Sequence, residues 1–147
     1  MVNNIRQRVS AVIVKGNEVL LIKRIKQDKI YYVFPGGGVE TGESLEQALV
    51  REINEELSLI VTDYKFLFSL DLLGYGQSFY KQEKYQNNFY LVTGFTGQPA
   101  IGGPEKERMN KDNVYGLVWF NKEDLSKLPN LQPTEAVSKL VSLKLIN

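Results

Sequence analysis

The chain has no cysteine and no histidine in its 147 residues. Without cysteine there is no disulfide framework and no thiolate zinc site. Without histidine as well, the familiar zinc centres, Ser-His-Asp triads and Cys-His pairs are excluded. Proton transfer near neutral pH must then fall to a carboxylate, a lysine, a tyrosine or metal-bound water. Net charge is also scarce, at +1, so bulk electrostatics recruits neither nucleic acid nor an anionic membrane. Polar residues interrupt every apolar run well short of the ~18 residues of a membrane-spanning helix. The first residues, MVNNIRQRVS, lack the apolar segment of a signal peptide, which makes a cytoplasmic location the default expectation. Hydrophobic residues are 43% and charged residues 24%, an ordinary balance that predicts one globular domain over 1–147 with a real core.

What the chain does have is concentrated between Gly36 and Leu59, GGGVETGESLEQALVREINEELSL. Pro35 and the glycines stop a preceding strand, Tyr31 to Phe34, and permit close backbone approach to a ligand. Ser44 reads as a helix N-cap, and Gln47 three residues on completes a capping box. Leu45, Leu49, Ile53 and Leu57 recur at every fourth position and predict the core seam of that helix. Glu52, Glu55 and Glu56 stand at i, i+3 and i+4, so they share a face. At ~100° per residue, Glu52 and Glu56 fall within roughly 40° of the line through Leu45 and Leu49. The apolar stripe therefore continues as acid. Three like charges at the edge of a core repel one another unless a cation sits among them. With no His or Cys nearby, that cation is a hard, oxygen-loving ion such as Mg²⁺ or Mn²⁺.

The flanking segments read mostly as strands. Val9 to Val14 and Glu18 to Ile25 form a hairpin about Lys15-Gly16-Asn17, with Lys23 and Arg24 able to reach an anionic ligand or to remain solvated cations. Ile60-Val61 and Phe66 to Leu72 read as two strand segments. A loop with Tyr75, Phe79, Tyr80 and Tyr85 follows, suited to base stacking, a hairpin tip or an oligomer contact. Asn88 to Phe95 is a strand, and the Gly/Pro loop after it carries Glu105 and Glu107. Val114 to Phe120 reads as the last strand, Asn121 to Pro129 as a short helix, and Thr134 to Leu145 as an amphipathic helix with Val137, Leu140, Val141 and Leu145 on its apolar side.

The central stretch resembles the Nudix hydrolase signature. That signature is glycine, five residues, glutamate, seven residues, arginine-glutamate, an aliphatic, any residue, two glutamates, any residue, glycine and an aliphatic. Gly37, Glu43, Arg51-Glu52, Ile53, Glu55-Glu56 and Leu59 fall in register with it. Ser58 departs, standing where the family has a glycine that ends the helix in a left-handed conformation, so the helix end is expected to be built differently. The resemblance implies an α/β fold, the family's α/β/α sandwich with a mixed β-sheet between helices. It implies that Glu52, Glu55 and Glu56, with the Gly37 carbonyl, hold Mg²⁺ or Mn²⁺. It further implies that Arg51 orients the helix carboxylates by ion pairing and that Glu43 braces the loop–helix unit or contacts the metal through water. The catalytic base falls to Glu55, Glu56 or a loop carboxylate, with Glu105 ahead of Glu107 and Glu83.

The implied chemistry is metal-dependent hydrolysis of a diphosphate bond in a nucleoside diphosphate derivative, with a small nucleotide as partner. The compact length looks like the MutT-like members that act on nucleoside triphosphates. Dinucleoside polyphosphates, ADP-ribose and nucleotide sugars are the alternatives, as is a regulatory nucleotide-binding module without catalysis. Tyr75 stands about where some subfamilies carry a specificity residue, and Arg24 and Tyr75 are the candidate substrate contacts. A homodimer is left open, since many relatives dimerise and nothing in the sequence fixes an interface.

Overall fold

The computed structural model describes residues 5–73 and 84–146. In chain order the strands and helices are β1 (Arg6–Lys15), β2 (Glu18–Lys26), β3 (Lys29–Val33), β4 (Gly36–Gly38), α1 (Leu45–Leu57), β5 (Ile60–Leu73) and β6 (Lys84–Thr96). They continue with α2 (Gly103–Arg108), β7 (Asn113–Asn121), a 3₁₀ turn (Leu125–Lys127), β8 (Leu131–Gln132) and α3 (Thr134–Ser142). The sheet runs β5-β6-β1-β2-β3-β8, with β4 added on β1 and β7 on β2. β1 is parallel to β6 and β3 to β8, while the other pairs are antiparallel, which makes the sheet mixed. No helix of the described residues is long and apolar enough to cross a membrane.

Alternation along the strands divides the core in two. Val9, Ala11, Ile13, Leu20 and Ile22 face one side and pack with Ala48, Leu49, Ile53 and Leu57 of α1. Val12, Val19 and Leu21 face the other and pack with Ala136 and Leu140 of α3. The result is the expected α/β/α sandwich. The capping box at Ser44 and Gln47 is present, and Leu49, Ile53 and Leu57 are fully buried.

Several local expectations need correction. Gly36 to Gly38 do not merely end a strand; they pair with Arg8 to Ser10 as β4. A Cβ on Gly36 would lie 2.0 Å from the Val9 carbonyl oxygen, so this close pairing admits only glycine. Residues 60–73 form one strand rather than two, because bulges between Val61 and Phe68 absorb the irregular pattern. Tyr85 belongs to β6, where it is buried, rather than to a loop. The Glu105 and Glu107 segment is a helix with proline in its first turn, not a loop. β7 is not the last strand, since Leu131 and Gln132 add β8 beside β3. The helix expected from Asn121 shrinks to the turn at Leu125–Lys127. α3 stops at Ser142, so Leu145 lies beyond its end, and Val141 within the helix is exposed rather than on its buried side.

Candidate active site

The glycine strand and the acidic end of α1 meet face to face. The Gly36 N–H donates to Glu56 Oε1 at 2.8 Å. A Cβ on Gly37 would stand 2.3 Å from the Glu52 carboxyl carbon, so the Glu52 carboxylate lies directly on the glycine backbone. Glu52 and Glu56 are thus turned inward, as their place on the leucine stripe requires. Glu55 points outward, and half of its side chain is exposed.

Arg51 is the hub of this corner. Its Nε and Nη2 donate to the two carboxylate oxygens of Glu43, at 2.7 and 2.9 Å, in a bidentate pair. Nη2 also donates to the Gly38 carbonyl at 2.9 Å. Nη1 donates to Glu52 Oε1 at 2.9 Å and to Glu55 Oε2 at 3.2 Å. One guanidinium therefore ties together the loop, the glycine strand and the helix. The Arg51 bond and the Glu40 N–H hold the Glu43 carboxyl down at about 2. Burial pushes the Glu52 carboxyl up, against the pull of Arg51 and, more weakly, of Arg8. Arg51 itself is held more firmly charged, chiefly by its bond to Glu43.

Among the described residues no three acidic side chains gather closely enough to form a metal-holding group. The partners explain this: Arg51 takes Glu52 and Glu55, while the Gly36 N–H takes Glu56. The donor set itself is all oxygen and hard, which suits Mg²⁺ or Mn²⁺. The helix end at Ser58 also differs from expectation. Ser58 adopts the left-handed conformation, at φ 62° and ψ 27°, and its N–H donates to the Asn54 carbonyl at 2.9 Å. The serine takes the glycine geometry rather than replacing it.

The remaining candidates divide. α2 rests on the acidic end of α1: the Gly102 N–H donates to the Glu56 carbonyl at 2.8 Å. A Cβ on Gly102 would fall 1.6 Å from the Glu55 carbonyl oxygen, so the approach depends on glycine. This brings the start of α2 to the end of α1, while the side chain of Glu105 lies outside what the structure describes. Tyr75 and Glu83 lie outside the described residues. Arg24 lies towards the end of β2, between Tyr31 and Tyr115, and no ion pair with an acid is seen for it among the described residues. Arg8, whose charge acts on Glu52, was not singled out from sequence, because only the pairing of β1 with Gly38 brings it there.

A sequence model described as the NUDIX domain matches residues 4–140. A Buchnera aphidicola (subsp. Schizaphis graminum) protein named 8-oxo-dGTP diphosphatase is 30% identical over 142 residues, covering 92% of this chain and 95% of that one. A Methanocaldococcus jannaschii ADP-ribose pyrophosphatase is 51% identical over 53 residues, covering 35% of this chain and 31% of that one. A Pseudomonas putida NAD-capped RNA hydrolase is 28% identical over 117 residues, covering 80% and 37%. The chain thus spans about a third of the length of the latter two relatives and nearly all of the first. Among solved structures, a MutT NUDIX hydrolase from Burkholderia pseudomallei superimposes with a TM-score of 0.72 at 28% identity, over 93% of this chain and 97% of that one. Signature, sandwich and a relative matched end to end agree, and the chain belongs to the Nudix hydrolase family.

Proposed function

We propose that the protein is a divalent-metal-dependent pyrophosphohydrolase that cleaves a diphosphate bond in a nucleoside triphosphate or a related nucleotide. The observation that carries this reading is the pair Glu52 and Glu56, turned inward onto the Gly36–Gly37 backbone beside the Arg51 hub. Glu52, Glu55, Glu56 and the Gly37 carbonyl are the donors that would hold Mg²⁺ or Mn²⁺. When bound, such an ion neutralises phosphate charge and supplies activated water. The protein's own part is placement. Arg51 fixes Glu52 and Glu55 relative to the glycine strand. Glu55, the most open of the three acids, is best placed to take a proton from attacking water. Glu56 and Glu105 are the other candidate bases. Arg24, and Tyr75 from the segment after β5, are assigned to the substrate, whose phosphates must be aligned for in-line displacement.

The triphosphate reading draws support from the relative matched over its full length, which is named an 8-oxo-dGTP diphosphatase. The test replaces Glu55 or Glu56 by glutamine and measures turnover of nucleotides in Mg²⁺. Each change should lower turnover by orders of magnitude while the melting temperature holds. Parental turnover in both variants would remove the proposed site.

A further inference from the structure

A second cluster lies on the α1 side of the sheet, towards the end of β2. Leu20, Ile22 and Arg24 alternate onto one face, and the first two belong to the core under α1. The register places Tyr31 of β3 across from Arg24 on one side and Tyr115 of β7 on the other. The guanidinium carbon stands 5.5 Å from the Tyr31 ring centre and 4.4 Å from that of Tyr115. Its Nη2 donates to Asn113 Oδ1 at 3.3 Å. Its Nε is buried and meets no acceptor among the described residues. The contrast with Arg51 is sharp: Arg51 is neutralised by carboxylates, whereas among the described residues Arg24 is held by two π faces and an amide. Neutral partners fix the geometry of a cation without spending its charge.

This cluster is joined to the acidic corner. Asn113 Nδ2 donates to the Arg108 carbonyl at 3.1 Å, at the end of α2. The other end of α2 follows Gly102, whose N–H bonds the Glu56 carbonyl. A helix of six residues spans about 9 Å, which sets the scale of the separation between the Glu56 backbone and Asn113. We propose that Tyr31, Tyr115 and Asn113 are positioning residues that hold Arg24 as a preformed receptor for the substrate's phosphate chain, α2 setting its distance from the acidic corner. The proposal rests on the reading that Arg24 meets the substrate.

The test measures KM and kcat for a nucleoside triphosphate in Mg²⁺, and calorimetric binding of inorganic diphosphate with Mg²⁺. Arg24→Gln should raise KM about tenfold or more. Tyr115→Leu should raise KM about fivefold with kcat within about twofold, and Tyr115→Phe should restore most of the loss because the ring remains. Asn113→Ala should act in the same direction. In an Arg24→Gln background, Tyr115→Leu should add little. Diphosphate binding should weaken in step in every KM variant. An unchanged KM in Tyr115→Leu overturns the proposal, as does a loss confined to kcat. A full Tyr115→Leu effect without Arg24 also overturns it, since the ring would then touch the substrate itself. If the parent hydrolyses no nucleotide, the catalytic reading fails separately. Diphosphate binding still decides the receptor, and equal binding by parent and Arg24→Gln refutes it.

Discussion

Ser58 offers a sharp prediction because a single dihedral carries it. The residue closes α1 at φ 62° and ψ 27°, with its N–H on the Asn54 carbonyl. For a residue with a Cβ this conformation costs about 1–2 kcal/mol. Its side chain is exposed, so no packing is lost on removing it. Ser58→Gly relieves the strain, but glycine gives the unfolded chain more freedom, which takes back about 0.4–1 kcal/mol. The net gain should be about 0.5–1 kcal/mol. At this chain length, 1 kcal/mol moves the melting temperature by roughly 2–4 °C, so the variant should melt about 1–4 °C higher. Thermal unfolding followed by circular dichroism at neutral pH reads this directly. Turnover should be unchanged, since Glu52, Glu55 and Glu56 precede the cap. A melting temperature equal to or below that of the parent would show that Ser58 is not strained, and the reasoning would fail.

Other outcomes follow from the same corner. Gly37→Ala places a Cβ against the tip of a flexible side chain, Glu52, so the fold should survive while turnover drops ~10- to 100-fold, read by kinetics beside a melting curve. Arg51→Met leaves Glu43 and Glu52 without their partner and should lower the melting temperature by a few degrees, read by thermal unfolding. Glu43 has a lowered pKa, so its contribution to stability is present above the unfolded value of 4.5 and is lost as pH falls towards about 2. Glu43→Gln should therefore flatten the fall in melting temperature over that acid range, compared with the parent.

The parts of this fold visible in the sequence are those set by local chemistry. Leu49, Ile53 and Leu57 mark the buried side of α1 by their spacing alone, and Ser44 with Gln47 marks its start. The inward turn of Glu52 and Glu56 follows from the same angular count. The parts that were hidden depend on distant partners. Nothing in three glycines favours a strand, and β4 exists because Arg8 to Ser10 lie beside it. The left-handed cap at Ser58 runs against the backbone preference of serine, so its residue type does not announce it. The sandwich of Arg24 between Tyr31 and Tyr115 needs the pairing of β2 with both β3 and β7, which no local pattern states. The partners of the three acids were likewise hidden, because the tertiary fold decides which of them Arg51 and the Gly36 N–H engage.

In the proposed function the inward acids of α1 support metal-dependent cleavage of a nucleotide diphosphate bond. The most direct measurement is hydrolysis of a panel of nucleoside diphosphate derivatives by the parent and Glu56→Gln, with Mg²⁺, with Mn²⁺ and with a chelator. Released phosphate, diphosphate and nucleoside monophosphate are quantified for each. The parent should turn over at least one nucleoside triphosphate, with that turnover lost on chelation and lowered by orders of magnitude in Glu56→Gln. Turnover that survives chelation or the substitution, or none across the panel, would contradict it.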